Sequence, residues 1–191
     1  MHRLLERVLS AVPAGLAVII CLMLAPAACT QDLRWSAVER MIESDFPGVP
    51  RITTDSLAAR LADSTASPPV LLDARANEEV AVSHLAGARR IDPDASRYPA
   101  LDSLAADTPI VVYCSVGYRS ARVTQHLRAQ GFTNVSNLQG SIFQWANEGR
   151  PVYRDSVEVE AVHPYDRVWG TLLDERYHTE RPPDAAVGRD D

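Results

Sequence analysis

The 191-residue chain contains no lysine: its 19 cationic side chains are all arginine, against 25 Asp and Glu. Schiff-base and other lysine-based catalysis is thereby excluded. No basic block interrupts the net charge of -6, so nucleic acid would have to bind against overall repulsion, and no nucleic-acid partner is expected. Cysteine is equally sparse. Cys21, Cys29 and Cys114 cannot build a disulfide framework. Neither a CxxC pair nor a His/Cys spacing suited to zinc occurs, so no metal site is expected. Hydrophobic residues at 46% and charged residues at 23% exclude a mainly disordered chain and a polytopic membrane protein. The length suits one domain with tails, and a monomer is the expectation for a domain this small and polar.

What is present begins with an N-terminal address. Arg3 and Arg7 precede an uncharged stretch from Val8 to Thr30, whose most apolar part, Ala14 to Leu24, has the length of a signal-peptide core. Ala25-Pro26-Ala27 follows as an A-x-A-like cleavage site, so residues 1–28 read as an export signal and the protein is expected outside the cytoplasm, in the periplasm or attached to a membrane facing it. Cys29 stands where bacterial lipoproteins carry their lipidated cysteine, although Pro26 replaces the usual Leu. Three fates stay open: a lipid on Cys29, ordinary cleavage leaving a free thiol, or an uncleaved anchor, since about 20 apolar residues span a bilayer. Cys21 reads as an apolar filler of the stretch.

Downstream, helical and strand patterns alternate. Residues 29–51 form a helical lead-in, with Trp35, Val38, Met41 and Ile42 at helical spacing and Pro47-Gly48 as the stop. Thr53 or Thr54 caps a second helix with Leu57 and Leu61 on its apolar face. Strands are predicted at Val70–Leu72, Ala88–Ile91, Ile110–Tyr113 and Asn134–Leu138. Helices are predicted at Asn77–Val82, Pro99–Ala105, Arg119–Gln130 (closed by Gly131) and Ser141–Asn147. This alternation argues for an α/β protein with a mostly parallel central sheet flanked by helices. Residues 154–191 read as an arm, with a short helix carrying Tyr165, Trp169, Leu172 and Leu173 on one face and a disordered tail from Thr179. His163, Tyr165 and Trp169 read as packing of that arm.

The informative segment is Cys114-Ser115-Val116-Gly117-Tyr118-Arg119-Ser120. It follows the clearest strand and precedes a helix, and ligands of open α/β sheets bind beyond the carboxyl ends of strands. A short loop there can turn successive N–H groups inward as an anion nest, with Gly117 relieving the turn and Arg119 adding positive charge. A thiol at its floor is expected to have a lowered pKa and to be nucleophilic as the thiolate.

This loop, CSVGYRS, resembles the active-site loop of rhodanese-like sulfurtransferases. Asp73-Ala74-Arg75, Glu78 or Glu79, and His84-Leu85-Ala86-Gly87-Ala88 resemble the family's upstream elements in order. Gly131-Phe132, Gly140, Trp145 and Pro151 resemble its downstream ones, so the likeness covers about Ile52 to Val152, and residues 52–153 are taken as the domain. The resemblance implies a rhodanese-like three-layer fold and a mechanism. Cys114 would take a sulfane sulfur from a small donor as a persulfide and pass it to a thiol or to cyanide. Arg119 and the loop Ser115, Val116, Gly117, Tyr118, Arg119 and Ser120 would bind the anion. No cofactor beyond the covalent persulfide is implied.

The chain departs from the family at three places. Ser83 and Ser141 stand where Gly is common, and Ser115 stands where many thiosulfate-using members carry a basic residue, so thiosulfate would be held less firmly. Two rival readings remain. One is a persulfide carrier or sensor module without turnover. The other is a cysteine phosphatase or arsenate reductase; in the phosphatase loop five residues separate Cys from Arg, whereas four separate Cys114 from Arg119. Asp73 with Arg75 reads as a structural ion pair or a turn cap, His84 as a loop-fixing hydrogen-bonding residue and Trp145 as core whose indole could also line the pocket.

Overall fold

The computed structural model describes residues 27–181. Residues 1–26, expected as most of an export signal and containing Cys21, the side chain of Cys29 and the residues after 181 lie outside the described residues. The chain divides into two compact units, residues 1–36 and residues 37–191. The described part of the first is helical, and all that follows concerns the second.

The helices are α1 (Ala27–Asp45), α2 (Thr54–Ala62), α3 (Asn77–Val82), α4 (Tyr118–Ala129) and α5 (Ser141–Asn147). The strands are β1 (Arg51–Ile52), β2 (Val70–Asp73), β3 (Arg89–Arg90), β4 (Ile110–Tyr113), β5 (Val135–Leu138), β6 (Val152–Arg154) and β7 (Val157–Val159). The first five form one sheet in the order β1-β5-β4-β2-β3, parallel at every pairing. The register sets Val70 against Ile110, Asp73 against Tyr113 and Ile110 against Val135. β6 and β7 form a separate antiparallel hairpin turning at Asp155, whose φ is +53°.

β4 is buried along its whole length, as a parallel strand covered on both faces requires. On one face Leu72, Ile110, Val112 and Val135 pack with Val123 and Leu127 of α4 and with Tyr98 and Leu101. The period of two sends Leu71, Val111 and Tyr113 to the other face, where α2 and α5 lie together. Each fully buried aliphatic side chain contributes about 1.5–3 kcal/mol. α2 begins as its sequence dictates: Thr53 Oγ1 accepts a hydrogen bond from Ser56 N at 3.2 Å.

Two expected helices are different. Pro99–Ala105 holds a single 3-10 turn, Pro99–Leu101, and the bonds onward (Leu101 N to Tyr98 O, Asp102 N to Pro99 O, Leu104 N to Leu101 O) all close over three residues. The arm likewise carries two 3-10 turns, Trp169–Leu172 and Glu175–Tyr177, instead of one helix. Asp166 Oδ1 accepts from Val168 N and Trp169 N, both at 2.8 Å, and starts a fresh turn there, while Tyr165 has φ +66° and leaves the helical path. Leu172, Leu173 and Tyr177 are buried; Tyr165 is not on their side.

β2 and β4 are neighbours whose chains leave in opposite directions, β2 through α3 to the edge strand β3 and β4 through α4 to β5. This is the switch point of the sheet, and a crevice opens beyond the strand ends there.

Candidate active site

The loop leaving β4 puts Cys114 at the floor of that crevice, buried with 1% of its surface exposed. Gly117 N donates to Cys114 Sγ at 3.2 Å, and Ser120 Oγ donates at 3.4 Å. The loop's carbonyls face the other way because α5 claims them: Ile142 N donates to Cys114 O at 3.2 Å and Phe143 N to Ser115 O at 3.1 Å. These are orphan donors of the first turn of α5, so one helix end fixes the peptide planes that another ligand site needs. Ser141 Oγ accepts from Cys114 N at 3.1 Å and donates to Leu138 O at 3.0 Å. Ser141 does this with φ +50°, a left-handed conformation adopted where the family often has a second Gly.

Gly117 has φ +108°, and a Cβ there would meet Ile42 Cδ1 at 3.3 Å. Buried Asn137 of β5 donates Nδ2 to Gly117 O at 2.9 Å, and Tyr118 Oη donates to Asp45 Oδ2 at 2.8 Å. The loop is thus held from β5 below and from the last turn of α1 beside it.

Across the switch point, α3 supplies Glu79, which is buried. Its carboxylate accepts from Arg119 Nη1 at 2.7 Å and Nη2 at 2.8 Å, from Ser115 Oγ at 2.7 Å and from Ala76 N at 3.0 Å. Arg119 Nη2 also donates to Ser115 Oγ at 2.9 Å. Burial pushes the Glu79 carboxyl up, but the bonds and charge of Arg119, with Ser115 and Ala76 N, outweigh it and hold the group below its ordinary range. Arg119 is firmly cationic. Burial likewise disfavours the Cys114 thiolate, yet the Arg119 charge, the Ser120 hydroxyl and the N–H groups of Ser120 and Gly117 prevail, and the thiol lies below its ordinary value. The positive charge that Arg119 brings to the loop is compensated by Glu79.

The cavity above Cys114 holds about 100 Å³ and is lined by Ser115, Val116, Tyr118 and Arg119, together with Tyr165 and Trp169 of the arm. The Arg119 guanidinium sits 4.7 Å from the Tyr165 ring centroid. These two aromatics, expected as packing of the arm, are walls of the cavity. Ser120 touches the sulfur without lining the cavity. A larger hollow of about 700 Å³ near Arg97, Leu104 and Phe132 shares no lining residue with the Cys114 cavity.

The remaining candidates are structural. Arg75 and Asp73 form a fully buried pair, with Nη2 to Oδ2 at 2.6 Å and Nη2 to Ser83 O at 2.6 Å. His84 pairs its backbone with Tyr153, and its Nδ1 lies 3.0 Å from Leu85 O. Trp145 is buried and donates Nε1 to Pro151 O at 2.9 Å, away from the cavity. Among the described residues no group of three or more His, Cys, Asp or Glu is placed to hold a metal ion, and no helix is long and apolar enough to cross a membrane.

Comparison with known proteins matches residues 53–148 to the family model of the rhodanese-like domain. A sulfurtransferase of Allochromatium vinosum is 33% identical over 110 residues, covering 54% of this chain and 94% of that protein. A tRNA uridine(34) hydroxylase of Prochlorococcus marinus is 36% identical over 88 residues, covering 41% of this chain and 28% of that protein. In such longer relatives the match spans under about a third of the protein. Among solved structures, a rhodanese-like domain protein of Staphylococcus aureus is 30% identical, with a TM-score of 0.45 over 51% of this chain and 91% of that one.

Proposed function

This chain belongs to the rhodanese-like domain family, and from that premise we propose that it is a sulfurtransferase working through a persulfide on Cys114. The observation that carries the reading is a buried thiol, held toward its thiolate by Gly117 N, Ser120 and Arg119, at the floor of a crevice open to small molecules.

In the first half-reaction the Cys114 thiolate attacks the outer sulfur of a sulfane donor. With a hydropersulfide R–S–SH, the Cys114 S–S bond forms, the donor S–S bond breaks, and its electron pair leaves as the thiolate RS⁻. The product, Cys114–S–SH, loses its proton to give the persulfide anion, and the inward-facing loop N–H groups favour that charge. In the second, cyanide or a thiolate attacks the outer sulfur, and Cys114 departs as thiolate again. With cyanide the balance is Cys–S–S⁻ plus CN⁻ to Cys–S⁻ plus SCN⁻. The shift of Cys114 toward its thiolate, set by Arg119, Ser120 and Gly117 N, lessens the need for a separate base. The short Cys-to-Arg ring and the engagement of Arg119 by Glu79 leave little to clasp a tetrahedral oxyanion, which weighs against phosphatase or arsenate chemistry. The proposal also places the domain outside the cytoplasm, on the strength of the N-terminal segment and Cys29.

Thiocyanate formation from cyanide is the test, using thiosulfate and glutathione hydropersulfide as separate donors beside Cys114→Ser. Turnover lost in the variant, with wild-type protein one sulfur atom heavier after donor treatment, is the expected result. No turnover and no adduct on demonstrably reduced Cys114 would overturn the proposal.

A further inference from the structure

Tyr165 and Trp169 lie beyond residues 53–148, yet both wall the Cys114 cavity. We propose that this arm is the donor-selecting element of the site: an aromatic gate that admits slim sulfane donors of low charge, hydropersulfides above all, and turns away the thiosulfate dianion. The inference rests on the sulfurtransferase reading and names its donor class.

The argument starts with Arg119, the one cation among the lining residues. Both terminal nitrogens are engaged by Glu79, and one of them also by Ser115 Oγ. Tyr165 lies against the guanidinium at 4.7 Å. An oxyanion entering the cavity finds that cation already neutralised and covered. It also meets the charge of the Cys114 thiolate at close range, where like charges repel strongly. About 100 Å³ corresponds to roughly three water volumes, so a dianion would shed most of its hydration there. A hydropersulfide brings one slim, polarisable end with at most a single negative charge, against two on thiosulfate, and so demands less compensation.

The gate is built rather than incidental. Tyr165 occupies a left-handed conformation that bulky residues seldom adopt, with its N–H donated to His163 Nδ1 at 3.0 Å. Such conformations persist where the surroundings over-determine them. Here the arm is pinned at both ends: Ser83 Oγ donates to Ala161 O at 2.5 Å, Asn147 Nδ2 to Leu172 O at 2.8 Å, and Asp174 N to Asn147 Oδ1 at 2.8 Å.

Tyr165→Asn removes the ring while keeping a residue that tolerates positive φ, and Trp169→Leu widens the other wall. The full-length chain, purified in mild detergent, is read in two ways. The first is the rate of Cys114 alkylation by neutral iodoacetamide against anionic iodoacetate, normalised to free N-acetylcysteine. The second is kcat/KM for thiosulfate against glutathione hydropersulfide. We expect the wild type to disfavour iodoacetate and thiosulfate, and each variant to relax both ratios about fivefold or more toward those two. Ratios unchanged within about twofold in both variants, with turnover present, would overturn the gate and leave the sulfurtransferase reading standing. Absence of thiocyanate from either donor, with alkylation still gated, would overturn that reading and with it the donor class.

Discussion

The Glu79 carboxylate and the Arg119 guanidinium meet edge to edge, Nη1 to Oε2 at 2.7 Å and Nη2 to Oε1 at 2.8 Å. The carboxylate is enclosed and the guanidinium only 21% exposed, so this pair ties α3 to the cysteine loop across the switch point. Glu79→Gln should destabilise the protein by about 2–3 kcal/mol, somewhat under the usual cost of breaking a buried pair because Arg119 keeps some solvent. Urea denaturation at neutral pH measures it. The same pair sets a pH dependence. Because the folded-state carboxyl is depressed, its contribution is complete above the unfolded value of about 4.3 and is lost as pH falls below that toward the folded value. Glu79→Gln should flatten the stability curve in that acid window, and an unchanged curve would assign the loss to other carboxylates.

Alkylation of Cys114 by iodoacetamide should show a midpoint below the ordinary thiol value of about 8.5. Arg119→Gln should move that midpoint upward, since burial then faces weaker opposition. The double variant Glu79→Gln with Arg119→Gln controls for the carboxylate left unpaired. A midpoint that stays put in both would mean the loop N–H groups and Ser120 alone hold the thiolate.

Ser141 offers a prediction with opposed terms. Its hydroxyl satisfies the buried Cys114 N and reaches Leu138 O, while its backbone is held at φ +50°. Ser141→Ala loses both bonds and keeps the strained backbone, at a cost of about 1–3 kcal/mol. Ser141→Gly also loses the bonds but recovers roughly 1 kcal/mol of conformational strain. Chemical denaturation should therefore rank wild type above Ser141→Gly above Ser141→Ala. Equal stability of the two variants would show that the positive φ carries no cost here.

The sequence was most readable where physics is local. Ile110–Tyr113, β-branched and apolar, can be little other than a buried strand, and the loop after it announces itself through Cys114, Gly117 and Arg119. β1 and β3, of two residues each, are too short to display any alternation, and pairing with β5 and β2 is what makes them strands. The hairpin did leave a trace, since Val152, Arg154, Val157 and Val159 flank a turn-forming Asp155, but the pattern is brief and half-exposed.

At the site, the thiol, the loop and the Asp73–Arg75 pair were legible from spacing and resemblance. The neutralisation of Arg119 was not, because Glu79 sits 40 residues away and only the crossover through the sheet brings the two together. Tyr165 misled for a related reason. Tyr165, Trp169, Leu172 and Leu173 fit a helix face, and only the Asp166 turn with a positive φ at Tyr165 sends the ring toward Cys114.

Gly117 resting against Ile42 has a bearing on how this protein should be divided. A fragment cut to residues 53–148 would keep the nucleophile, Glu79, Arg119 and Ser141. It would lose the edge strand β1, the Ile42 buttress, the Asp45 acceptor of Tyr118 and both aromatics of the arm. The segment that matches the family model is therefore smaller than the segment that assembles the site. Transplanted into another scaffold it would carry Cys114 without the aromatic walls of its cavity.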